Sequence, residues 1–427
     1  MTVSTLTEQV ARQAFLAKAA SRRLALLSAE DKKRILEEMA AAIEAAAQDI
    51  LFRNEIDVEA AQQSGLSESL INRLVLTEDS IKSMAQGVRE IARQSDPVGE
   101  TLESWTRPSG IRIDKIRVPL GVIAMIYESR PNVTVDAAAL CLKSGNAVLL
   151  RGGSEAINSN RALVSAISKA LHSAGLPAGR QVLEGSVQFL EDTNRESIME
   201  LVRLNQLVDL VIARGSEEMI NHVMKNATVP VLGHGKGVCH VYVDDEADLS
   251  MAEKIAFNAK VQRPGVCNAM ETLLVHKHAA QAFLPKMAQL YEAAKVEIRG
   301  DQGTREVIAS VLPATEEDWR TEYLDLIVSI RVVDSLDQAI EHINRYGSGH
   351  SDAIVTENPQ HAARFLKEVD SAAVFHNAST RLHDGSVFGL GAEIGISTRK
   401  FHARGTMGAR ELTTTKYVVH GTGQIRE

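Results

Sequence analysis

From Gly121 to Phe375 short, mostly apolar runs alternate with stretches of helical composition, and that rhythm leaves the chain few architectures. The first series of runs is Gly121 to Ile126, Ala147 to Leu150, Val182 to Leu183, Leu207 to Ala213 and Val229 to Leu232. The second is Val238 to Val243, Thr272 to Val275, Leu326 to Val332, Ala353 to Val355 and Ala372 to Phe375. Runs this short and this apolar suit strands covered by helices on both faces. Strands and helices in alternation predict parallel α/β layering. Gly233-His234-Gly235-Lys236-Gly237 is a natural seam between the two series. A chain of 427 residues also exceeds what one hydrophobic core usually serves, so two α/β domains are expected.

Other textures flank this region. The first hundred residues read as helical, with apolar residues at three- and four-residue steps from Lys32 to Ala46. Ser28 followed by Asp31 has the composition of a helix start. From Gly110 to Val118, Ile111, Ile113 and Ile116 alternate with Arg112, Asp114, Lys115 and Arg117. A strand with one charged face is expected to be an arm or an edge. The β-branched run Thr413 to Val419 can pair with that arm, within the chain or across subunits.

A net charge of -8 argues against nucleic acid or an anionic membrane as the main partner. An anionic substrate then needs a local pocket of Arg, Lys or His. Cys141, Cys239 and Cys267 form neither a disulfide framework nor a metal-ligand spacing. No run of about 18 apolar residues predicts a membrane span. Met1 to Ala20 lacks the apolar centre of a signal peptide. These features predict a cytoplasmic location, where thiols stay reduced.

Chemistry concentrates in a few segments. Gln262-Arg263-Pro264-Gly265-Val266-Cys267-Asn268 is a tight bend between a helical run and a strand-like run. A thiol on such a bend can attack a carbonyl carbon while a neighbouring N–H receives the oxyanion. A buried structural cysteine is the competing reading. Leu149-Leu150-Arg151-Gly152-Gly153-Ser154-Glu155 and Ile212-Ala213-Arg214-Gly215-Ser216 each lead from a strand into a helix, where α/β sheets bind cofactors. Either Gly-Ser pair also reads as an ordinary helix cap, and G-x-G-x-x-G is absent. In Tyr127-Glu128-Ser129-Arg130-Pro131-Asn132, the Asn132 amide can face a reacting oxygen or simply open the next helix. His342 to Asp352, with His350 in it, can bind phosphate or carboxylate, or end a helix. No zinc spacing is evident.

Taken in order, these segments resemble the aldehyde dehydrogenase superfamily over roughly Arg107 to the C-terminus. Tyr127 to Val133 resembles its oxyanion segment, Gln262 to Asn268 its nucleophile loop, and the stretch from Val333 to Ile354 a long signature. The resemblance implies a cofactor-binding domain (1–103 and 119–233, with part of 384–408), a catalytic domain (234–383) and an oligomerisation flap (104–118 and 409–427). The implied reaction belongs to proline biosynthesis: L-glutamyl 5-phosphate and NADPH give L-glutamate 5-semialdehyde, phosphate and NADP. Cys267 would be the nucleophile and Asn132 an oxyanion donor. Arg151, Gly152, Gly153, Ser154, Gly215, Ser216 and Glu322 would hold the cofactor, with Arg151 suited to a 2′-phosphate and Glu155 opposed to it. Glu322 also reads as one more carboxylate of an acidic surface run. Arg130, Arg263 and His350 are the implied anion contacts, and Glu128 the ammonium contact, unless Glu128 and Arg130 pair with each other. Hydrolytic members carry Glu-Leu-Gly-Gly-Lys where this chain has Val231-Leu232-Gly233-His234-Gly235-Lys236, so Val231 replaces the base that activates water. The implied partners are the small-molecule substrate, phosphate, further copies of this chain, and glutamate 5-kinase as supplier of the unstable acyl phosphate. Rival readings are another phosphorylating or CoA-acylating aldehyde dehydrogenase, which would share Cys267, and a non-catalytic scaffold on the same fold.

Overall fold

The computed structural model describes residues 3–173 and 183–426, so Val182 lies outside the described residues. The chain divides into two compact units. The first takes Met1–Gly233, Gly389–Ile396 and Phe401–Glu427, and the second His234–Phe388 and Ser397–Lys400. The segments expected to form a flap fall within the first unit, and 384–388 fall within the second.

The first unit is built on a parallel sheet in the order Val187–Phe189, Ala147–Gly152, Val122–Tyr127, Leu210–Arg214 and Val231–Leu232. Ala147–Gly152 and Val122–Tyr127 are buried along their whole length, which is why they read as unbroken apolar runs. Leu183 sits in a turn, and the strand that joins this sheet edge begins at Val187. Helices precede and follow the strands. Ala29–Ala45 is capped by Ser28, whose hydroxyl accepts the N–H of Asp31, and its buried face carries Ile35, Leu36, Met39 and Ile43.

The same unit carries a three-stranded antiparallel sheet. Arg112–Pro119 pairs with Thr101–Thr106 on one side and with Thr413–His420 on the other, all within this chain. The expected arm is therefore the middle strand. Its charged face is matched across the ladder, where Lys115 meets Glu103 at 3.0 Å and Arg117 meets Glu100 at 3.1 Å.

The second unit is a seven-stranded sheet. Its order is Leu312–Pro313, Glu297–Gly300, Ile327–Val333, Met270–His276, Cys239–Val243, Ser351–Val355 and Ala373–His376. Every pairing is parallel. The first two strands have no clear sequence signature. Glu297 and Arg299 break the apolar pattern because that side of the sheet is only partly covered. Among the described residues no helix is long and apolar enough to cross a membrane.

Candidate active site

In the second unit three adjacent parallel strands, Met270–His276, Cys239–Val243 and Ser351–Val355, begin at one edge of the sheet. Cys267, His234 and His350 each lie shortly before one of these starts, so a shared sheet edge gathers residues that are far apart in sequence. The bend holding Cys267 follows the helix Leu249–Val261 and is closed by Ala269 N–H on Val266 O at 3.0 Å. Several bonds fix it in place. Cys239 Sγ donates to Cys267 O at 3.1 Å, and Asn268 Nδ2 donates to His383 O at 3.0 Å. Thr380 Oγ1 donates to Asn268 O at 2.8 Å, and Arg381 Nη1 donates to Asn268 Oδ1. Gly237 lies directly against the bend: a Cβ there would stand 2.1 Å from Cys267 O and 2.7 Å from its Cα. Only glycine lets the seam segment pass this close.

Cys267 is half-buried. Its Sγ and one ring nitrogen each of His234 and His350 lie within 4.8 Å of one another. The His234 and His350 rings are edge-to-face with centroids 4.9 Å apart, and His383 packs on His350 at 5.2 Å. Burial opposes ionisation of the thiol. The positive charges of His350 and His234, with a hydrogen bond from His234, outweigh it and hold the Cys267 pKa well below the usual thiol range. Burial pushes Cys239 and Cys141 up instead, so the three thiols differ in kind.

Glu322 belongs to this neighbourhood and is not a surface carboxylate. It is half-buried, and burial raises its pKa, as does the negative charge of Cys267, against a hydrogen bond from Gly237 N–H. Arg381, absent from the sequence reading, sits beside Asn268 and donates from Nε to Gln262 Oε1 at 2.9 Å. Burial lowers its pKa and so does the nearby charge of Arg263, which is exposed on the same bend. His234 was read only as part of a glycine-rich seam; a histidine flanked by glycines was the signal for it. Nothing local distinguishes Arg381.

In the first unit the strands Ala147–Gly152, Val122–Tyr127 and Leu210–Arg214 are neighbours, and their carboxyl ends carry the other sequence-derived residues. Ser129 adopts a left-handed backbone (φ 46°), which lets its N–H and Oγ both reach Glu155 Oε1, at 2.5 and 2.8 Å. Arg130 is half-buried beside it. Asn132 opens the helix Asn132–Lys143, is exposed, and donates from Nδ2 to Asp136 Oδ2 at 3.0 Å. Burial pushes Asp136 up to about 6, and the bond from Asn132 acts against that. Glu128 Oε2 accepts Ser216 N–H at 2.7 Å, and a Cβ on Gly215 would stand 2.4 Å from the same oxygen. The chain's own carboxylate therefore occupies that helix start. Ser216 also caps the helix Glu217–Asn226. Gly152 and Gly153 are buried, while Ser154 is exposed. Arg151 differs most from its expected role. It is buried, with Nη1 on Gly152 O at 2.8 Å and Nη2 on Thr193 O and Asn194 O at 2.6 and 3.0 Å. Its donors tie loops together, an arrangement that does not present the guanidinium to a phosphate.

Residues 2–308 and 306–418 match the profile described as the Aldehyde dehydrogenase family. The chain belongs to the aldehyde dehydrogenase family. It is 55% identical over 411 residues to gamma-glutamyl phosphate reductase of Caldanaerobacter subterraneus, covering 96% of this chain and 98% of the relative. It is 56% identical over 411 residues to the protein of that name from Moorella thermoacetica, covering 96% and 97%. The crystal structure of gamma-glutamyl phosphate reductase from Thermotoga maritima superposes with a TM-score of 0.93 at 49% identity, over 98% of this chain and 100% of that one. An acetylating aldehyde dehydrogenase from Geobacillus thermoglucosidasius, 17% identical with a TM-score of 0.70, shares the aldehyde dehydrogenase fold. Enzymes of this family use nicotinamide cofactors.

Proposed function

We propose that this chain reduces L-glutamyl 5-phosphate to L-glutamate 5-semialdehyde in proline biosynthesis, with Cys267 as the acylated nucleophile and NADPH as reductant. The observation that carries this reading is the Cys267 thiol, held in its reactive form between His234 and His350 in a chain so similar to proteins named gamma-glutamyl phosphate reductase. A scaffold without activity has no use for an ionised thiol.

The chain's own residues account for acyl transfer. Cys267 Sγ bonds to the acyl carbon, and the carbon–oxygen bond to phosphate breaks with its electron pair leaving on phosphate. The Cys267 N–H receives the oxyanion of the tetrahedral stage, and the resemblance adds the Asn132 amide to that role. Losing one such donor typically costs about 100- to 1,000-fold in kcat. A histidine holding the thiol's former proton can share it with the departing phosphate. Arg263, and Arg381 behind it, supply the positive charge that an anionic substrate needs in a chain of net charge -8. Arg130 and Glu128 are assigned to the substrate's carboxylate and ammonium by resemblance, although Glu128 would first have to leave Ser216. Val231 in place of a carboxylate keeps the thioester from water-activated hydrolysis.

The residues fit a nicotinamide dinucleotide in part. Glu322, half-buried beside the thiol, suits ribose hydroxyls, and Gly152, Gly153, Ser154, Gly215 and Ser216 line the strand ends where such ligands bind. Arg151 does not fit a 2′-phosphate role, because it is buried and both its Nη atoms are turned onto backbone carbonyls. When bound, the nicotinamide supplies the hydride that takes the thioester to the aldehyde level. The reading also makes the protein a cytoplasmic homo-oligomer fed by glutamate 5-kinase. Two strands of the antiparallel sheet, Thr101–Thr106 and Thr413–His420, each have an unpaired side to offer a second copy.

The test is phosphate-dependent reduction of NADP with glutamate semialdehyde, compared between the wild type and Cys267→Ala. Turnover should vanish in the variant and should be faster with NADP than with NAD. Undiminished turnover by Cys267→Ala, or activity with a CoA thioester but none with glutamate semialdehyde and phosphate, overturns the assignment.

A further inference from the structure

The residues around Cys267 form a ligand set as well as a nucleophile's surroundings. His234, Cys267 and His350 reach one point from the leading ends of three adjacent strands, with their donor atoms within 4.8 Å of one another. His350 is fully buried. Its Nδ1 lies 2.8 Å from Ser351 Oγ, and its Nε2 has no hydrogen-bond partner among the described residues. Ser351 Oγ lies 2.8 Å from His383 Nδ1 in turn. If Nδ1–H donates to Ser351, whose hydroxyl donates to His383, Nε2 is the nitrogen left to face the sulfur, and once the imidazolium gives up its Nε2 proton that lone pair is open to a metal. A ligand histidine is typically held this way, with its second nitrogen oriented by a hydrogen-bonding partner.

We propose that His234, Cys267 and His350 bind zinc or a similar soft divalent cation, and that the ion reversibly blocks the nucleophile. One sulfur and two imidazole nitrogens are a donor set that zinc prefers. Zn–S near 2.3 Å and Zn–N near 2.0–2.1 Å place tetrahedral ligand atoms about 3.4–3.6 Å apart, so donors that already lie within 4.8 Å of one another need close by no more than about 1.4 Å. Glycines on both sides of His234, and the left-handed Gly349 (φ 69°) before His350, give the backbone room to do so. Glu322 interacts electrostatically with all three residues but is not one of the gathered donors, so three protein ligands leave the fourth position to solvent. On binding, the imidazolium protons of the ligand histidines go to solvent and the sulfur lone pair that would attack the acyl carbon is donated to the metal. The inhibitory consequence rests on the reading of Cys267 as the nucleophile, whereas the binding itself does not.

Two other groupings, Asp244 with Asp245 and His361, and Asp245 with His276 and His278, are less suited. Asp244 already accepts from Tyr242, Thr356 and His361, and His276 Nδ1 already accepts His278 N–H. They serve as controls.

The experiment is titration of the reduced, metal-free, full-length chain with Co²⁺, followed by absorbance and then by displacement with Zn²⁺. One equivalent should produce a sulfur-to-cobalt charge-transfer band, and zinc should abolish it. Cys267→Ser, or wild type alkylated at Cys267, should lack the band. His234→Gln and His350→Gln should weaken binding by at least about tenfold, and His278→Ala should change nothing. Melting curves of the metal-free variants separate a lost ligand from a lost fold. Absence of the band in the wild type, or its persistence after Cys267 is alkylated, overturns the proposal. A Cys267-dependent band together with full turnover by Cys267→Ala would keep the metal site and discard the nucleophile.

Discussion

The His350→Gln substitution isolates the electrostatic claim on which the reaction depends. Glutamine keeps an amide able to bond Ser351 and removes the ring nitrogen that faces the sulfur. At the observed limit of 4.8 Å, a thiolate and an imidazolium attract by about 3.5 kcal/mol at an effective dielectric near 20. Cys267 is half-buried, so solvent screening removes part of this, and about 1.5 kcal/mol is a fair remainder. That amount is about a tenfold change in the ionisation constant, or a rise of about one unit in the thiol's midpoint. The assay is alkylation by iodoacetamide, with the labelled peptide identified by mass spectrometry. Cys141 and Cys239 serve as internal references because burial holds their thiols in the neutral form. In the wild type Cys267 should label fastest, and labelling should stay fast well below the pH at which ordinary thiols ionise, because its pKa is lowered. In His350→Gln the pH midpoint of labelling should rise by about one unit, so that the rate falls about tenfold on the acid side of the midpoint, with a similar change in His234→Gln. An unchanged rate and midpoint in both variants would refute the reasoning.

Three further outcomes follow from the geometry. Gly237→Ala should cut turnover by about 100-fold or more, because its Cβ must displace the Cys267 backbone from a 2.1 Å approach, and steady-state kinetics with a melting curve will separate this from unfolding. Lys260→Met should destabilise the protein by about 3–5 kcal/mol in denaturant unfolding, since Lys260 and Glu271 pair at 2.6 Å with both side chains fully buried and the substitution strands the carboxylate. His342 is held near a pKa of about 2, first by burial and then by the charges of His240, Arg331 and Arg345. The unfolded chain therefore binds a proton that the folded chain refuses, and stability falls as pH drops from about 6.5 toward 2. His342→Phe keeps the ring contacts with Trp319 and Tyr346 and should flatten that acid limb, which thermal melts at pH 7, 6, 5 and 4 would show or deny.

Local order was written plainly in the chain. Short apolar runs such as Val122–Tyr127 suit strands buried on both faces, and Ser28 starts the helix Ala29–Ala45 through its own hydroxyl. The bend at Pro264-Gly265, the seam at Gly233 and the alternation of layers could be read for the same reason: each depends on neighbours a few residues away. Strands with charged or mixed faces escape, as Glu297–Gly300 does, and the charged face of Arg112–Pro119 reads as an edge although partners on both sides, one adjacent and one near the C-terminus, make it a middle strand. Packing alone decided the rest. It put Met270–His276, Cys239–Val243 and Ser351–Val355 side by side, out of sequence order, and so brought His234 and His350 to the sulfur. It turned Arg151 inward onto carbonyls, set Glu128 on the helix start expected to hold a phosphate, and brought Arg381 to the nucleophile loop. Periodicity reports which face of an element is buried, while the long-range pairing of strands decides which loop ends meet, and a thiol's reactivity depends on what it meets.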